Sequence, residues 1–352
     1  MSREPMRDDA HGLALLVPRE RAQDAIDAAK AANAYDDARK VQPEGERIAI
    51  PVAEAFDLGD RLPDGAFEDI ELPHRIRDLR DHLEAKGWTD EELTRAPSSW
   101  AVVGSAVLVD IEESPRPEEV GHALLELHRE ADTVLARRGI DGQTREPNVE
   151  PIAGFGDTEV VHTEHGTRYA LDLSEVMFSP GNQAERARMG EVVSEDERVF
   201  DMFAGIGYFT LPMARAGAHV TAAEINPESY RYLIENAMLN GVQDRIDAYR
   251  ADCRDVDTEA DRVVMGYYGH ETGEGREGEA HECLDSALAA LVDGGVVHMH
   301  EATPEARLWD RPISRLEAAV AEAGRTCEIL DTRVVKSHSA GVQHVVVDAR
   351  VD

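Results

Sequence analysis

The chain has 352 residues, and 71 acidic side chains against 37 basic ones give it a formal charge of −34 at pH 7. The acidic residues are spread along the whole sequence, which favours a surface adapted to concentrated salt, as in a halophilic protein, over a site for a basic partner. The charge does not exclude nucleic acid, because the Debye length is only about 3 Å at molar ionic strength. Lysine is rare and occurs at Lys30, Lys40, Lys86 and Lys336.

The cysteines and the hydrophobic pattern indicate a protein of a reducing compartment. Cys253, Cys283 and Cys327 form no CxxC pair, so neither a disulfide framework nor a structural zinc site is expected. No apolar run approaches the roughly 18 residues of a membrane span, and the first residues lack the apolar core of a signal peptide. We therefore expect a cytoplasmic monomer without bound metal or membrane contact.

The first half of the chain predicts two small α+β domains. In residues 1–60, strands at 12–17 and 47–51 flank a helix at 19–32, and a polar stretch at 57–68 suits a linker. Residues 67–175 predict, in order, a helical pattern at 72–86, a β-rich run at 99–111, a helix at 117–137, a polar connection at 139–150 and a hairpin at 160–171. The hairpin turns at His165-Gly166.

Residues 176–352 alternate strand and helix and predict a catalytic α/β domain. The expected strands are 198–203, 218–223, 246–250, 262–267 and 294–300, with helices at 208–216, 227–240, 279–292 and 310–324. Two last strands, 327–335 and 343–351, form a C-terminal antiparallel hairpin. The pattern predicts a doubly wound, mostly parallel Rossmann-like sheet, in which ligands bind beyond the carboxyl ends of the strands.

A glycine turn follows the first of these strands. The turn contains Gly205 and Gly207, and Glu224 ends the next strand, so the unit is typical of a nucleoside site in which the acid binds ribose hydroxyls. A dinucleotide fingerprint would have glycine at Thr210, and Asp201 would repel a pyrophosphate but suit the ammonium of an amino-acid tail. The pattern favours S-adenosylmethionine over NAD or FAD, with a purely structural turn as the alternative.

Five further positions are candidates for binding. Ser179 is expected to cap the helix that carries Arg186, and both side chains could face the carboxylate of the cofactor tail. Asp252, at the end of the third strand, can accept from an adenine amino group, or it can cap a helix. At the end of the fourth strand, Gly266 would let a planar ring approach and Tyr267 could stack on it, although packing against the sheet is the simpler alternative.

The fifth strand places His298 and His300 on one face. Metal binding is disfavoured because no third ligand is suitably spaced, which leaves proton transfer in the site or plain packing.

Together, these motifs resemble the archaeal aminocarboxypropyltransferases of wyosine biosynthesis, which are similar to tRNA guanine N1-methyltransferases. The resemblance covers residues from about 150 to the end and is carried by the segments 178–186, 201–210, 224–227, 252–255, 265–267, 298–300 and 341–346. It implies cofactor contacts by Ser179, Arg186, Glu224 and the Asp252-Cys253 pair. The family often has lysine where this chain has Pro180, so a charge contact there is missing or replaced. The first 55 residues look like the small N-terminal module of the methyltransferase branch.

The resemblance implies transfer of the 3-amino-3-carboxypropyl group of S-adenosylmethionine to C7 of 4-demethylwyosine beside the anticodon of tRNA(Phe), with release of methylthioadenosine. We expect Arg186 and Ser179 to hold the tail carboxylate, and Tyr267 and His298 to act at the reacting base. The alternatives are guanine N1-methylation, which the segment Met265-Gly266-Tyr267 disfavours, and a non-catalytic tRNA-binding module with a relict pocket.

Overall fold

The computed structural model describes residues 11–59, 62–141, 146–268 and 280–352. The chain divides into two compact units, Met1–Thr94 and Arg95–Asp352. The sequence-based division into three domains, with boundaries near 60–67 and 175, stays a prediction. Within the described residues, no helix is long and apolar enough to cross a membrane.

The first unit is an antiparallel sheet with helices. Its elements are β1 (His11–Pro18), α1 (Ala22–Ala31), β2 (Gln42–Glu44), β3 (Arg47–Pro51), β4 (Ala66–Glu71), α2 (Leu79–Ala85) and α3 (Asp90–Leu93), with strand order β2-β3-β1-β4. Two sequence expectations were wrong. The supposed linker contains the start of β4, an edge strand whose exposed Glu68, Asp69 and Glu71 hide its β pattern, and the helix expected from residue 72 begins at Leu79.

The second unit begins with a four-stranded sheet of order β5-β6-β7-β8. Its elements are β5 (Trp100–Val103), β6 (Ala106–Asp110), α4 (Pro117–Leu127), β7 (Thr133–Asp141) and β8 (Glu146–Gly154). The expected helix at 117–137 was wrong beyond Leu127, because residues 133–136 are all fully buried in a central strand that pairs on both sides. Four residues of the expected polar connection, 142–145, lie outside the described residues.

A separate hairpin follows, formed by β9 (Glu159–Glu164) and β10 (Thr167–Asp172). Both turn residues have positive φ, 48° at His165 and 77° at Gly166, as a two-residue hairpin turn with this twist requires. The predicted hairpin is confirmed at its expected turn.

The largest sheet has seven strands in the order β13-β12-β11-β14-β15-β17-β16. Its strands are β11 (Arg198–Asp201), β12 (His219–Ala223), β13 (Ile246–Tyr249), β14 (Ala260–Met265), β15 (Leu291–Pro304), β16 (Cys327–Ser339) and β17 (Val342–Val351), and its helices are α5 (Gln183–Val192), α6 (Thr210–Arg215), α7 (Pro227–Asn240), α8 (Leu284–Ala290) and α9 (Asp310–Glu322). The strands β11 to β15 are parallel and β17 is antiparallel to both neighbours. The predicted Rossmann-like sheet with a C-terminal hairpin is confirmed.

The helix expected at 279–292 is shorter than predicted. Residues 280–283 form a 3-10 turn, α8 spans only Leu284–Ala290, and the chain enters β15 at Leu291. Residue 279 lies outside the described residues. The apolar run continues from helix into strand without a polar break, which is why periodicity missed the boundary.

Asn236 and Asn240, on α7, bind the free edge of the β9–β10 hairpin. Asn236 is fully buried, accepts from the Ala170 N–H at 2.7 Å and donates to the carbonyls of Ala170 and Ile206 at 3.0 and 3.1 Å. Asn240 makes the same pair of contacts with Arg168, at 2.9 and 2.7 Å. One face of α7 thereby replaces the missing third strand of the hairpin.

Replacing Asn236 by alanine should lower the free energy of unfolding by about 2–3 kcal/mol, because backbone groups of Ala170 and Ile206 would be left buried without partners. The matched control, Asn240→Ala, removes the same type of contact at a half-exposed position and should cost less than about 1 kcal/mol. Urea unfolding followed by circular dichroism measures both changes. Equal losses of stability in the two variants would contradict the larger contribution that we assign to the buried contacts of Asn236.

Candidate functional site

A cavity of about 580 Å³ opens at the carboxyl ends of the parallel strands. It lies where the strand order reverses between β11 and β14, the position at which α/β sheets of this kind bind ligands. Its size is that of a small-molecule site. Of the residues predicted from the sequence, those that line it are Ser179, Arg186, Gly205, Glu224, Asp252, Cys253, Gly266 and Tyr267.

The turn after β11 depends on the two glycines. Gly205 has φ +57° and a Cβ there would lie 2.5 Å from the ring of Tyr208, while Gly207 has φ +101° and a Cβ would lie 2.7 Å from Leu211. Gly205 lines the cavity, whereas Gly207 is buried against α6 and helps to pack the turn.

Asp201 lies behind this turn and does not line the cavity. It is fully buried, and its carboxylate accepts from the Thr210 hydroxyl at 2.7 Å and from the Phe203 N–H at 3.4 Å. Burial raises the pKa of Asp201 to about 6, against the effect of these hydrogen bonds. This geometry indicates that Asp201 stabilises the turn. It does not support the predicted contact between Asp201 and a cofactor ammonium.

Glu224, at the end of β12, is oriented by two backbone donors. Its carboxylate accepts from the Gly205 N–H at 2.7 Å and from the Asn226 N–H at 2.6 Å. Burial raises its pKa, and these N–H groups oppose that rise by stabilising the ionised form. The remaining acceptor sites of this fixed carboxylate are available to ligand hydroxyl groups.

Asp252 and Cys253 form the next part of the wall, beyond β13. Asp252 accepts from Arg254 Nε at 2.9 Å and from Nη2 at 2.5 Å, and these bonds hold the pKa of Asp252 down at about 2. A permanently ionised acceptor at this edge suits an exocyclic amino group.

Gly266 and Tyr267, after β14, close the opposite side. A Cβ at Gly266 would lie 2.6 Å from the ring of Phe209, so the protein's own aromatic ring occupies the space that we expected a substrate base to use. The ring of Tyr267 stacks on Phe203, with centroids 5.4 Å apart and planes at 28°, and both residues line the cavity. An aromatic pair, rather than a lone tyrosine, therefore faces an incoming ring.

Ser179 and Arg186 differ from their predicted arrangement. Asn182, and not Ser179, immediately precedes α5, and Arg186 Nε and Nη2 bind the buried Glu164 at 2.6 and 2.7 Å. Arg186 Nη1 also donates to the Ser179 carbonyl at 3.0 Å. The Ser179 hydroxyl accepts from Lys336 at 2.5 Å instead of capping a helix.

Sequence reasoning missed both Glu164 and Lys336, because each comes from a distant segment. The available signal for Lys336 was its rarity in a chain whose bases are nearly all arginine. We expected a charge contact to be missing or replaced at Pro180. The ammonium of Lys336 lies beside the neighbouring residue, Ser179, and provides a positive charge there.

The predicted catalytic role of His298 is not supported, since this residue lies away from the cavity. Its ring is buried, with Nδ1 at 2.6 Å from Asp348 and Nε2 at 2.5 Å from Arg262. His300 is also buried, 3.0 Å from His344, and burial lowers the pKa of His300 to about 4. Within the ranges the structure describes, no group of three His, Cys, Asp or Glu side chains is arranged to hold a metal.

The sheet order, the glycine turn and the oriented strand-end carboxylate define a nucleoside-binding protein of the Rossmann-like class. Two family models match the chain: the TRM5/TYW2 methyltransferase domain over residues 160–330 and the TYW2 N-terminal domain over residues 79–158. A tRNA(Phe) (4-demethylwyosine(37)-C(7)) aminocarboxypropyltransferase of Pyrococcus horikoshii is 39% identical over 283 residues, covering 79% of this chain and 96% of that protein. The chain belongs to the TRM5/TYW2 family.

Two solved structures resemble different extents of the chain. TYW2 of P. horikoshii in complex with MeSAdo matches with a TM-score of 0.66 and 35% identity over 78% of this chain and 99% of that one. Trm5b of Pyrococcus abyssi matches with a TM-score of 0.76 and 30% identity over 97% of this chain and 99% of that one. The longer match agrees with the expected resemblance of the N-terminal residues to the methyltransferase branch.

Asp201 should leave a pH-dependent signature in stability. Between about pH 4 and 6 the folded protein keeps the proton that an unfolded Asp has lost, so raising the pH through this window destabilises the fold; above pH 6 the effect is constant. The Asp201→Asn variant does not lose stability in this way. The difference between its free energy of unfolding and that of the native protein should therefore rise by roughly 2–3 kcal/mol from pH 4 to 6.5. Urea titrations at each pH measure it.

The control for this titration is Asp247→Asn, an exposed position on β13. Its difference from the native protein should stay level over the same range, and a level difference for Asp201→Asn would refute the raised pKa.

Proposed function

We propose that this protein transfers the 3-amino-3-carboxypropyl group of S-adenosylmethionine to C7 of 4-demethylwyosine in tRNA(Phe), releasing methylthioadenosine. The observation that carries the proposal is the 39% identity over 96% of a relative that bears this activity in its name. The oriented carboxylate of Glu224 and the aromatic pair Phe203–Tyr267 in one cavity support it. The related structure in complex with MeSAdo has the tail-free product of this transfer as its ligand.

The residues of the cavity fit the donor from one end to the other. Glu224 accepts from the ribose hydroxyls, and Gly205 allows the backbone to approach the nucleoside. Asp252 and the neighbouring Cys253 lie at the adenine edge, where the ionised carboxylate accepts from the amino group. Phe203 and Tyr267 offer a flat apolar surface on which a tricyclic base splayed from the anticodon loop can stack.

The reaction requires positioning more than a strong acid or base. The base carbon C7 attacks the γ-carbon of the tail, the bond from that carbon to sulfur breaks, and the electron pair leaves with neutral methylthioadenosine. The ring proton on C7 is then released to water. Since the sulfonium bears three electrophilic carbons, the protein selects the product by presenting one of them, and such positioning is worth up to roughly 7–11 kcal/mol.

A second candidate is guanine N1-methylation of the same nucleotide, favoured by the 97% coverage of this chain by Trm5b. Product analysis separates the two. Incubation with S-adenosylmethionine and precursor tRNA(Phe) should give methylthioadenosine and a tRNA heavier by the aminocarboxypropyl group, measured by mass spectrometry. Adenosylhomocysteine as the main product would establish the methyltransferase instead, and absence of S-adenosylmethionine binding in calorimetry would indicate a non-catalytic tRNA-binding module.

We also propose that the tRNA contact is with the anticodon region and that the enzyme acts as a metal-free monomer in a cytoplasm of high salt. The dispersed acidic surface supports the last point. Light scattering after gel filtration in molar KCl, with and without chelator, tests the oligomeric state together with retention of activity.

Glu224→Gln should weaken S-adenosylmethionine binding about tenfold or more. The amide would turn a donor toward the N–H of Gly205 or Asn226, so the side chain would lose its fixed orientation toward the ribose. Isothermal titration calorimetry measures the affinity. The matched control is Glu228→Gln, a carboxylate in the first turn of α7 that does not line the cavity, and it should stay within about twofold of the native protein. Equal affinities for all three proteins would remove Glu224 from the ribose site.

A further inference from the structure

Lys336, on β16 of the C-terminal hairpin, does not itself line the cavity but contacts a residue of its wall. Its ammonium donates a hydrogen bond of 2.5 Å to the hydroxyl of Ser179, which lines the cavity. Its stem lies against Gly181, where an added Cβ would be 3.0 Å from Lys336 Cδ. Glycine at 181 therefore leaves the space through which the lysine reaches Ser179.

Among the residues that the structure describes, no carboxylate neutralises the charge of Lys336. Arg186 and Arg254, the described arginines that line the cavity, are paired, Arg186 with Glu164 at 2.6 Å and Arg254 with Asp252 at 2.5 Å. No ion pair involves Lys336 in the part of the chain that the structure describes. An anion bound near Ser179 would therefore meet a positive charge that no described carboxylate pairs with.

Ser179 adds a second donor at the same point. Its oxygen accepts from Lys336, so its own hydrogen is directed elsewhere, and the described residues offer it no acceptor. An ammonium and a hydroxyl that touch each other form a pair of donors matched to the two oxygens of a carboxylate, and charge-assisted bonds of this kind are the stronger ones.

We propose that Lys336 and Ser179 bind the carboxylate of the aminocarboxypropyl tail and thereby help to turn the γ-carbon toward the acceptor base. This inference rests on the proposed function, because it names the contact that fixes the transferred group. Arg186, which we expected from the sequence to bind this carboxylate, instead holds Glu164 and the Ser179 backbone, so its role is to position Ser179.

The test uses Lys336→Met, which keeps the stem over Gly181 and removes the charge. Calorimetry in molar KCl would compare three ligands: S-adenosylmethionine, decarboxylated S-adenosylmethionine and methylthioadenosine. We expect the variant to bind S-adenosylmethionine roughly 10- to 100-fold more weakly, the range for loss of a charge-assisted hydrogen bond, and the other two ligands as the native protein does. Unchanged affinity for methylthioadenosine also reports that the cavity is intact. Lys40→Met, at an exposed lysine of the other unit, should bind all three like the native protein.

Two results would overturn the proposal. One is an equal loss for all three ligands, which would give Lys336 a structural role. The other is native affinity for S-adenosylmethionine with weaker tRNA binding, which would identify a phosphate of the RNA as the anion. In turnover with precursor tRNA, Lys336→Met should also release a larger share of adenosylhomocysteine relative to methylthioadenosine than the native enzyme.

The lysine contact and the proposed function can be tested independently of each other. If the native protein releases methylthioadenosine while Lys336→Met binds S-adenosylmethionine normally, the lysine contact fails and the function stands. If the native protein transfers methyl groups while the binding difference persists, the contact stands and the proposed reaction fails.

Discussion

The cavity depends on the carboxylate of Glu224 bridging two backbone segments. One oxygen accepts from Gly205 in the turn after β11, and the other accepts from Asn226, whose side chain caps α7. Only a residue that tolerates φ +57° can present its N–H in this way without strain, which is the physical reason for glycine at 205. The same carboxylate thus fixes the strand-to-helix turns that follow β11 and β12 and remains oriented for ribose.

A buried ion pair joins the helix and the hairpin that flank the cavity outside the seven-stranded sheet. Arg186, on α5, and Glu164, on β9, are each about 3% exposed and meet in a two-point contact. Burial alone would raise the pKa of Glu164, but hydrogen bonds from His162 and Arg186 outweigh it and keep the pKa below its usual value. Because the pair is excluded from solvent, concentrated salt screens it far less than the surface pairs. The hairpin therefore keeps its place beside Ser179 under the conditions that the acidic surface indicates.

The parts of the fold that could be predicted are those with strong local signals. The bounds of α7 were predicted correctly because Asn226 caps its start, Pro227 suits its first position and Gly241 ends it with φ +68°. The boundary between α4 and β7 was missed because amphipathic spacing continued past Leu127, while pairing with β6 and β8 decided the structure of the next segment. At the site, the glycine turn and Glu224 follow from contiguous sequence, and both were found. The partners of Ser179, Arg186 and His298 lie 157, 22 and 50 residues away, and sequence spacing does not reveal such contacts.

The similarity of this chain to both a methyltransferase and an aminocarboxypropyltransferase follows from the chemistry of the shared donor. Both reactions break a bond to the same sulfur and need the same ribose contact, so the sheet, the glycine turn and Glu224 serve either one equally. What differs is the orientation of a flexible tail, and a tail is oriented by its charged end. A single cation placed at that end is therefore enough to orient the tail with little change in fold, as we propose for Lys336. In this chain the C-terminal hairpin supplies such a cation, since Lys336 contacts Ser179, a residue of the cavity wall.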